Sequence, residues 1–201
     1  MVSEYFNYKY YNKEVNKMKL KKLKNIKQFI NIYKLYQSSF PIEEKKPFWL
    51  IIIGVFRKNF EVFSLENTSE EFLGLAITLN HKDLVLLDYL AISTEIQSKG
   101  YGSKALSLLK EQYKNYRFFL EIENPYDYSA PNLSERQKRQ KFYLKNGFFV
   151  LPFHTNLFGV EMELLGNNCS LSFDEYHDLY INQFGGFMKK YITENVTLIK
   201  M

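Results

Sequence analysis

The 201-residue sequence predicts an α/β protein with a mixed, mainly antiparallel central sheet and helices on both of its faces. Two observations predict this sheet. Three segments rich in β-forming residues follow one another with only short polar turns between them, which is typical of an antiparallel meander. A loop with two glycines, a helical segment and another strand come next, and this order indicates one parallel crossover.

The chain before the meander is expected to contain one strand and two helices. The strand is predicted at Met18–Leu23, and Asn25 can cap the helix that follows it. The second helix is predicted from Glu43 to about Phe56. Its core, Pro47–Phe56, is the most apolar run, and at ten residues it suits a buried helix rather than a membrane span. One apolar stripe is expected on the first helix, formed by Ile26, Phe29, Ile30, Tyr33 and Tyr36.

The meander and the crossover account for the middle of the chain. The crossover helix is predicted at Gly102–Asn115, with Leu106, Leu109 and Tyr113 on its apolar stripe. The strands are predicted at Phe60–Leu65, Phe72–Leu79, Leu84–Ile92 and, after the crossover helix, Arg117–Glu123.

Two capping-box patterns mark helices in the last third of the sequence. Ser134 and Gln137 are predicted to open a helix that reaches about Asn146. Ser172 and Glu175 are predicted to open another, which should end near Gly185-Gly186. The other expected features are the loop Asn124–Pro131, the closing strands Phe148–Pro152 and Val160–Leu165, and a hydrophobic staple of Leu171 and Tyr176.

The net charge of +5 is unevenly spread. Residues 1–27 hold eight lysines and two glutamates, a net charge of +6, so the rest of the chain carries −1. This argues against a nucleic-acid-binding body. The lysine-rich start is interpreted as a solvated tail and an exposed strand face.

The cysteine, histidine and leader patterns exclude several classes. Cys169 is the single cysteine, so neither a disulfide framework nor a cysteine metal site is expected within one chain, and Cys169 is expected to be structural. His81, His154 and His177 lack metal-ligand spacing, and His154 is expected in an exposed loop. The first residues lack the apolar core of a signal peptide, so we expect a soluble, cytoplasmic protein that contacts no membrane.

The loop Gln97–Ser103 follows a strand and precedes a helix. Gly100 and Gly102 allow close backbone approach and positive φ, and the helix start offers free N–H groups, so the segment can bind a phosphate or pyrophosphate. Lys99 adds positive charge. An ordinary turn whose glycines only relieve strain explains the glycines equally well.

Two other phosphate-loop types fit this segment less well. A Walker loop fails because no glycine precedes Gly100 at the needed spacing. The dinucleotide pattern G-x-G-x-x-A fits Gly100–Ala105, and Glu121 lies near the place of a ribose-binding acid. However, the seven residues Ser93–Lys99 separate the strand from Gly100. An NAD-dependent dehydrogenase is therefore kept only as the less favoured alternative.

The run Leu90–Gly102 resembles motif A of the GNAT superfamily, the acetyl-CoA-dependent N-acetyltransferases, whose [QR]-x-x-G-x-[GA] signature is met by Gln97, Gly100 and Gly102. Phe142–Phe148 is similar to the family's Y-x-x-x-G-F segment. The order of elements also resembles the family's layout. This resemblance implies a GNAT domain at residues 18–165, preceded by a tail (1–17) and followed by a C-terminal helical extension packed on the same domain (166–201).

The resemblance implies direct transfer of acetyl from acetyl-CoA to a primary amine of a small molecule, such as an amino acid derivative, a polyamine or an aminoglycoside. A protein N-terminus or lysine is the alternative acceptor. Tyr143 matches the family's general acid; the alternative is an aromatic residue that only packs on the sheet. In the family, strand backbone binds the pantetheine arm of coenzyme A and loop N–H groups bind its pyrophosphate. The cofactor-binding residues implied are Leu90, Ala91, Ile92, Gln97, Ser98, Lys99, Gly100, Tyr101, Gly102 and Ser103.

The proton acceptor is expected among Asp88, Glu121 and Glu123, with Asp88 and Glu123 favoured. The alternative is that these carboxylates only bind a cationic substrate or pair with Lys or Arg. The acceptor pocket is expected in the first two helices and the loops Asn124–Pro131 and Phe153–Gly159. A basic helix face is expected to be solvated or to meet the cofactor's phosphates; it consists of Arg136, Lys138, Arg139 and Lys141.

Two further expectations concern partners and class. A homodimer could form through the aromatic-rich C-terminal part, and no nucleic-acid partner is expected. A relative that binds acyl-CoA without turnover is the alternative from another function class.

Overall fold

The computed structural model describes residues 17–167, 169–184 and 188–199. The expected tail before Lys17 and the expected helix end at Gly185-Gly186 lie outside these residues. The described strands are β1 (Lys19–Lys22), β2 (Phe60–Glu66), β3 (Phe72–His81), β4 (Leu84–Ile92), β5 (Arg117–Glu123), β6 (Phe149–Leu157), β7 (Val160–Asn167) and β8 (Val196–Ile199). The described α-helices are α1 (Ile26–Ser39), α2 (Phe48–Phe56), α3 (Tyr101–Gln112), α4 (Leu133–Lys145), α5 (Phe173–Phe184) and α6 (Lys189–Asn195).

The eight described strands form one mixed sheet in the order β1-β2-β3-β4-β5-β7-β6-β8. Strand β4 pairs with β5 in parallel, with α3 as the connection, which confirms the predicted crossover. Antiparallel pairing joins β1 to β2, β5 to β7, β7 to β6 and β6 to β8. The predicted mixed, mainly antiparallel sheet is therefore confirmed, whereas β8, a four-residue edge strand, was not predicted.

The described chain divides into two compact units. One comprises the residues up to Thr78 together with Tyr89–Gln112, and the other comprises Leu79–Asp88 together with the residues from Tyr113 onward. None of the described helices combines the length and the apolar character needed to cross a membrane.

In the first unit, helices cover both faces of the sheet. Helix α3 contributes Tyr101 and Ala105 to a buried cluster with Leu65 and Ile92. The opposite face of β2 carries α1 and α2. There Gln28 Nε2 donates to Glu66 Oε1 over 2.8 Å, and Gly54 of α2 leaves room for the ring of Phe60.

Helix α1 begins where the sequence predicted, but another face of it is buried. Asn25 Oδ1 accepts from the Gln28 backbone N–H over 2.9 Å, which confirms the predicted cap. The buried residues are Gln28, Ile32 and Tyr36, and Ile26 is 71% exposed. The predicted stripe is therefore wrong for Ile26, Ile30 and Tyr33, which are exposed, because the bond of Gln28 to Glu66 decides which face meets the sheet.

Helix α2 is shorter and less buried than predicted. Residues Ile42–Glu44 form a short 3-10 turn, and the α-helix begins only after Pro47, since a residue that precedes proline disfavours the α conformation. Phe48, Ile51 and Gly54 are buried, but Trp49 and Phe56 on the same helix are 62% and 83% exposed.

In the second unit, β5 lies between two helices. Phe118 packs on Phe148, which follows α4, with ring centroids 5.8 Å apart. The next residue, Phe119, faces the other way and packs on Tyr176 of α5 at 6.4 Å. Alternation along the strand thus places α4 and α5 on opposite faces.

One of the two predicted capping boxes is present. Glu175 Oε2 accepts from the Ser172 backbone N–H over 3.0 Å, and the Glu175 backbone N–H donates to Ser172 Oγ over 3.3 Å. The box predicted at Ser134 and Gln137 is wrong, because α4 begins at Leu133 with Asn132 as N-cap residue, and Gln137 Nε2 donates instead to the Pro125 carbonyl oxygen.

Candidate active site

The loop after β4 is tied to the sheet at both ends. The Ser93 backbone N–H donates to the Leu73 carbonyl oxygen over 2.9 Å. Gln97 Nε2 reaches back and donates to the Ile92 carbonyl oxygen, also over 2.9 Å. Gln97, the first motif residue, therefore fixes the loop against the end of the strand.

Two residues of this loop have left-handed backbone conformations. Ser98 has a φ of +62° and Gly100 a φ of +87°, and Lys99 stands between them. Lys99 Nζ donates to the Glu95 carbonyl oxygen over 3.1 Å, so its ammonium group stays at the loop. Successive residues whose backbone conformations alternate between right-handed and left-handed form a concave, anion-binding arrangement of N–H groups.

Helix α3 begins directly after this loop, at Tyr101. The first N–H groups of an α-helix have no acceptor inside the helix and carry its positive dipole end. Tyr101 is buried in the core, whereas Gly102 and Ser103 are half-buried. The loop and the helix start together fit a pyrophosphate, which is the anionic part of coenzyme A.

The strand before the loop approaches its neighbour unusually closely. A Cβ added to Gly74 of β3 would lie 2.4 Å from the Ala91 carbonyl oxygen. Gly74 therefore sets the path of Leu90–Ile92. Sequence reasoning missed this glycine, although glycine inside a strand is a known signal of close backbone approach.

Within the described residues, the parallel ladder of β4 and β5 covers Leu84–Leu87 and Arg117–Leu120. Both strands run on beyond the ladder, β4 to Ile92 and β5 to Glu123. The candidate carboxylates and the candidate pantetheine-binding backbone all lie on these two extensions.

Tyr143 lies on α4 and is half-buried among aromatic rings. Its ring centroid is 5.2 Å from that of Phe142 and 5.8 Å from that of Phe148. Burial raises the pKa of the Tyr143 hydroxyl above its usual value, against a smaller opposite effect of Arg139. The phenol consequently keeps its proton at neutral pH and can donate it.

The rest of the Y-x-x-x-G-F segment forms the end of α4. The Phe148 backbone N–H donates to the Tyr143 carbonyl oxygen over 3.2 Å, and that of Gly147 donates to Leu144 over 3.0 Å. Gly147 has a φ of +81°. These two bonds form a Schellman motif, which explains why glycine follows the tyrosine at this spacing.

Glu121 accepts hydrogen bonds from two tyrosines of α5. The Tyr176 hydroxyl donates to Oε2 over 2.7 Å, and the Tyr180 hydroxyl donates to Oε1 over 2.5 Å. Sequence reasoning did not identify either tyrosine as a partner of Glu121. Asp88 lies one residue beyond the last ladder position of β4, as Glu121 does on β5, so both side chains are on the same face.

Glu123, two residues further along β5, is held by arginines. Its Oε1 is 2.6 Å from Arg136 Nη2, and its Oε2 is 3.6 Å from Arg139 Nη1. Asn132 Nδ2 also donates to Oε2, over 3.2 Å. The predicted basic helix face thus divides, with two arginines turned to Glu123, while Lys138 and Lys141 are exposed.

The prediction that His154 lies in an exposed loop is wrong, because His154 is part of β6. The predicted loop Phe153–Gly159 is largely strand, with its turn at Phe158 and Gly159. His154 Nδ1 lies 2.9 Å from Glu161 Oε1. Sequence reasoning also missed Glu163, whose pKa is raised by burial although Gln140 donates to it over 2.8 Å.

The single cysteine belongs to the buried interior, and the described residues offer no metal site. Cys169 is buried, and its Sγ donates to the Phe118 carbonyl oxygen over 3.6 Å. Among the described residues, no group of three or more His, Cys, Asp or Glu side chains is arranged to hold a metal ion.

Comparison with known proteins agrees with this architecture. The sequence model of the acetyltransferase (GNAT) family matches residues 29–148. Comparison with curated proteins finds no match. Among solved structures, a Bacteroides thetaiotaomicron protein described as a GNAT-family acetyltransferase has a TM-score of 0.66 at 17% identity, over 83% of this chain and 95% of that one.

Two other similar structures were solved with coenzyme A. The spermidine N-acetyltransferase of Vibrio cholerae, in complex with CoA and spermine, has a TM-score of 0.59 at 13% identity, over 75% of this chain and 95% of that one. A Bacillus subtilis acetyltransferase in complex with CoA has a TM-score of 0.53 at 16% identity, over 76% of this chain and 98% of that one. At these identities the similarity shows the fold.

Proposed function

Because the chain belongs to the acetyltransferase (GNAT) family, we propose that it transfers acetyl from acetyl-CoA to a primary amine of a small molecule. The observation that carries this proposal is the loop after β4. Its left-handed Ser98 and Gly100, directly before the start of α3, gather backbone N–H groups suited to a pyrophosphate.

Acetyl-CoA supplies the acetyl group in activated form, as a thioester. In our proposal, the backbone N–H groups of Ser98–Ser103 bind its pyrophosphate, and Lys99 adds positive charge. The backbone of Leu90, Ala91 and Ile92 holds the pantetheine arm. Gln97 acts indirectly, through its bond to the Ile92 carbonyl oxygen.

Tyr143 is the proposed general acid. As the amine nitrogen bonds to the acetyl carbon and the carbon–sulfur bond breaks, the Tyr143 hydroxyl gives its proton to the departing sulfur. Solvent then returns a proton to the tyrosinate and takes up the second proton, which the nitrogen loses as it becomes an amide. This role requires a protonated hydroxyl at the start of each cycle, and the raised pKa of Tyr143 is compatible with that requirement.

Asp88 is the proposed acceptor of the proton that the ammonium group must lose before it can attack. Glu123 is the second candidate. Asp88 is favoured because both oxygens of the Glu123 carboxylate already contact arginines, Arg136 and Arg139.

The first acceptors to test are polyamines. The solved Vibrio cholerae relative holds spermine, a flexible small-molecule amine. Amino acid derivatives and aminoglycosides complete the small-molecule panel, and a peptide with a free N-terminus represents the protein amines.

The test measures thiol release from acetyl-CoA with this amine panel. Tyr143→Phe should lower kcat by about a hundredfold or more, the usual contribution of a general acid, while calorimetry still detects acetyl-CoA binding. Tyr116→Phe, which removes a hydroxyl from an exposed turn residue, is the matched control.

Two results would contradict the proposal. Binding of acetyl-CoA without turnover of any amine would make the chain a non-catalytic acyl-CoA-binding module. Thermal stabilisation by NADH but not by acetyl-CoA would instead favour an NAD-dependent dehydrogenase, the alternative interpretation of the loop Gln97–Ser103.

A further inference from the structure

Helix α5 lies beyond the segment that the family model matches, yet it reaches the Glu121 carboxylate of β5. Tyr176 and Tyr180, one turn apart, donate to different oxygens of Glu121. Each oxygen has its own donor, so the plane of the carboxylate is fixed and not only its position.

Both tyrosines keep their protons across the neutral range. Burial, and next the negative charge of Glu121, raise the pKa of Tyr176 and of Tyr180 well above the usual value of tyrosine. Thr155 Oγ1 donates to the Tyr176 hydroxyl over 3.4 Å, which orients the hydroxyl proton towards Glu121.

The two glutamates at the end of β5 are therefore held by different chemistry. The phenols stabilise the Glu121 carboxylate without cancelling its charge, because they are neutral donors. The arginines at Glu123 neutralise that carboxylate. A carboxylate that keeps its charge is the one that can hold a cationic amine.

The groups around Glu121 in the second unit come from three other elements. Asp88 faces it from β4, and Tyr176 and Tyr180 face it from α5. On β7 its register partner is the apolar Leu164. Along β5 itself, Glu123 lies two residues further on and is held by Arg136 and Arg139 of α4.

We propose that Tyr176 and Tyr180 are positioning residues for the amine end of the reaction, holding Glu121 charged and oriented beside Asp88. This inference rests on the proposed function. Glu121 accepts one N–H hydrogen of the acceptor ammonium, and this orients the nitrogen. Asp88 takes a different proton from the same nitrogen, which leaves the lone pair free to bond to the acetyl carbon.

The test compares Tyr180→Phe and Tyr176→Phe with wild type, using an amine that wild type acetylates. Each variant should raise the KM for the amine about tenfold, the effect of one lost hydrogen bond to a charged group, and should change kcat less. The acidic limb of the kcat/KM profile should move to higher pH, because Glu121 becomes easier to protonate.

The matched control is Tyr113→Phe, which removes a hydroxyl from another buried tyrosine of the second unit, packed on Phe118. Its KM and pH profile should equal those of wild type. Calorimetric affinity for acetyl-CoA, measured without turnover, should be the same in all three variants and wild type.

A double-mutant cycle separates positioning from stability. Glu121→Gln should raise KM at least as much as either tyrosine variant, and adding Tyr180→Phe should raise it no further, since both act through one carboxylate. Additive effects, or an unchanged KM and pH profile in an active Tyr180→Phe variant, would overturn the inference alone. A wild-type chain that acetylates no amine would overturn the proposed function and this inference with it.

Discussion

The loop after β4 and the end of β5 are held in place by different kinds of interaction, backbone geometry in the first and side-chain bonds in the second. In the loop, backbone geometry does most of this: Ser98 and Gly100 are left-handed, and Gly74 on β3 admits the Ala91 carbonyl oxygen. One side-chain bond, from Gln97 to the Ile92 carbonyl oxygen, adds to it. At the end of β5, side chains do it, with phenols around Glu121 and arginines around Glu123. A region held by backbone should tolerate side-chain truncation but not an added Cβ, and a region held by side chains should show the reverse.

Among the substitutions proposed for these two regions, replacement of Gly74 should lower stability the most. The Cβ of Gly74→Ala would lie 2.4 Å from a backbone oxygen, so β3 and β4 must shift. We expect the free energy of unfolding to fall by about 2–3 kcal/mol in urea denaturation, as for other overpacked interiors. Acetyl-CoA affinity should fall with it, because the shifted segment is the proposed pantetheine-binding backbone.

Gly100→Ala is the control that separates crowding from backbone strain. Nothing lies within 4 Å of a Cβ at Gly100, but its φ of +87° is unfavourable for alanine. The expected loss is about 1 kcal/mol. A loss at Gly100 equal to that at Gly74 would show that crowding at Ala91 is not what the first substitution measures.

The loop depends on glycines at particular positions. This dependence made the loop predictable from sequence, and it also makes the loop sensitive to glycine replacement. Left-handed φ favours glycine and close backbone approach requires it, so the geometry leaves a trace in residue types at fixed spacing. Short strands of alternating or apolar residues, such as Leu84–Ile92, left an equally local trace. Gly74 left the same kind of trace and was overlooked.

Truncation of Arg136 should damage the β5 region next most strongly. Arg136 and Glu123 side chains are each 12% exposed, and Arg136→Ala leaves the Glu123 carboxylate poorly compensated. We expect the free energy of unfolding to fall by about 2 kcal/mol, somewhat below the loss for a fully buried pair. Arg136 Nη1 also lies 3.4 Å from Asp127 Oδ2, so the loop Asn124–Pro131 should become sensitive to proteolysis.

Lys138→Ala, on an exposed position of the same helix, should change stability by less than about 0.5 kcal/mol. If both substitutions cost the same, the ion pairs at Glu123 contribute nothing measurable.

The side-chain partners of Glu121 could not be predicted because they are distant from it in sequence. Glu121 and Tyr176 are 55 positions apart, and nothing local to either marks the other. The buried face of α1 was misjudged for a similar reason, because Gln28 meets a glutamate thirty-eight positions away. Strand β8 pairs with β6 through only four residues, too few for a recognisable alternation.

The smallest expected effect concerns the start of α5, the helix that brings the two tyrosines to Glu121. Arg117 donates to Glu175, and this bond lowers the pKa of that carboxyl to about 2. A depressed folded-state pKa contributes stability above the unfolded value of 4.5, and this contribution is lost as the pH falls towards 2. Glu175→Gln should therefore be less stable than wild type at pH 7, by below about 1 kcal/mol because the pair is partly solvent-screened, and the difference should vanish near pH 2.

Glutamine can still complete the capping box, so this substitution removes the charge and keeps the helix start. Asp174→Asn, an exposed acid one position earlier, is the control. Stability would be followed by chemical denaturation at several pH values between 2 and 7, with tyrosine fluorescence as the readout. A Glu175→Gln difference that stays constant over this range would show that the Arg117 pair does not anchor α5. The placement of Tyr176 and Tyr180 would then depend on their burial and on their bonds to Glu121.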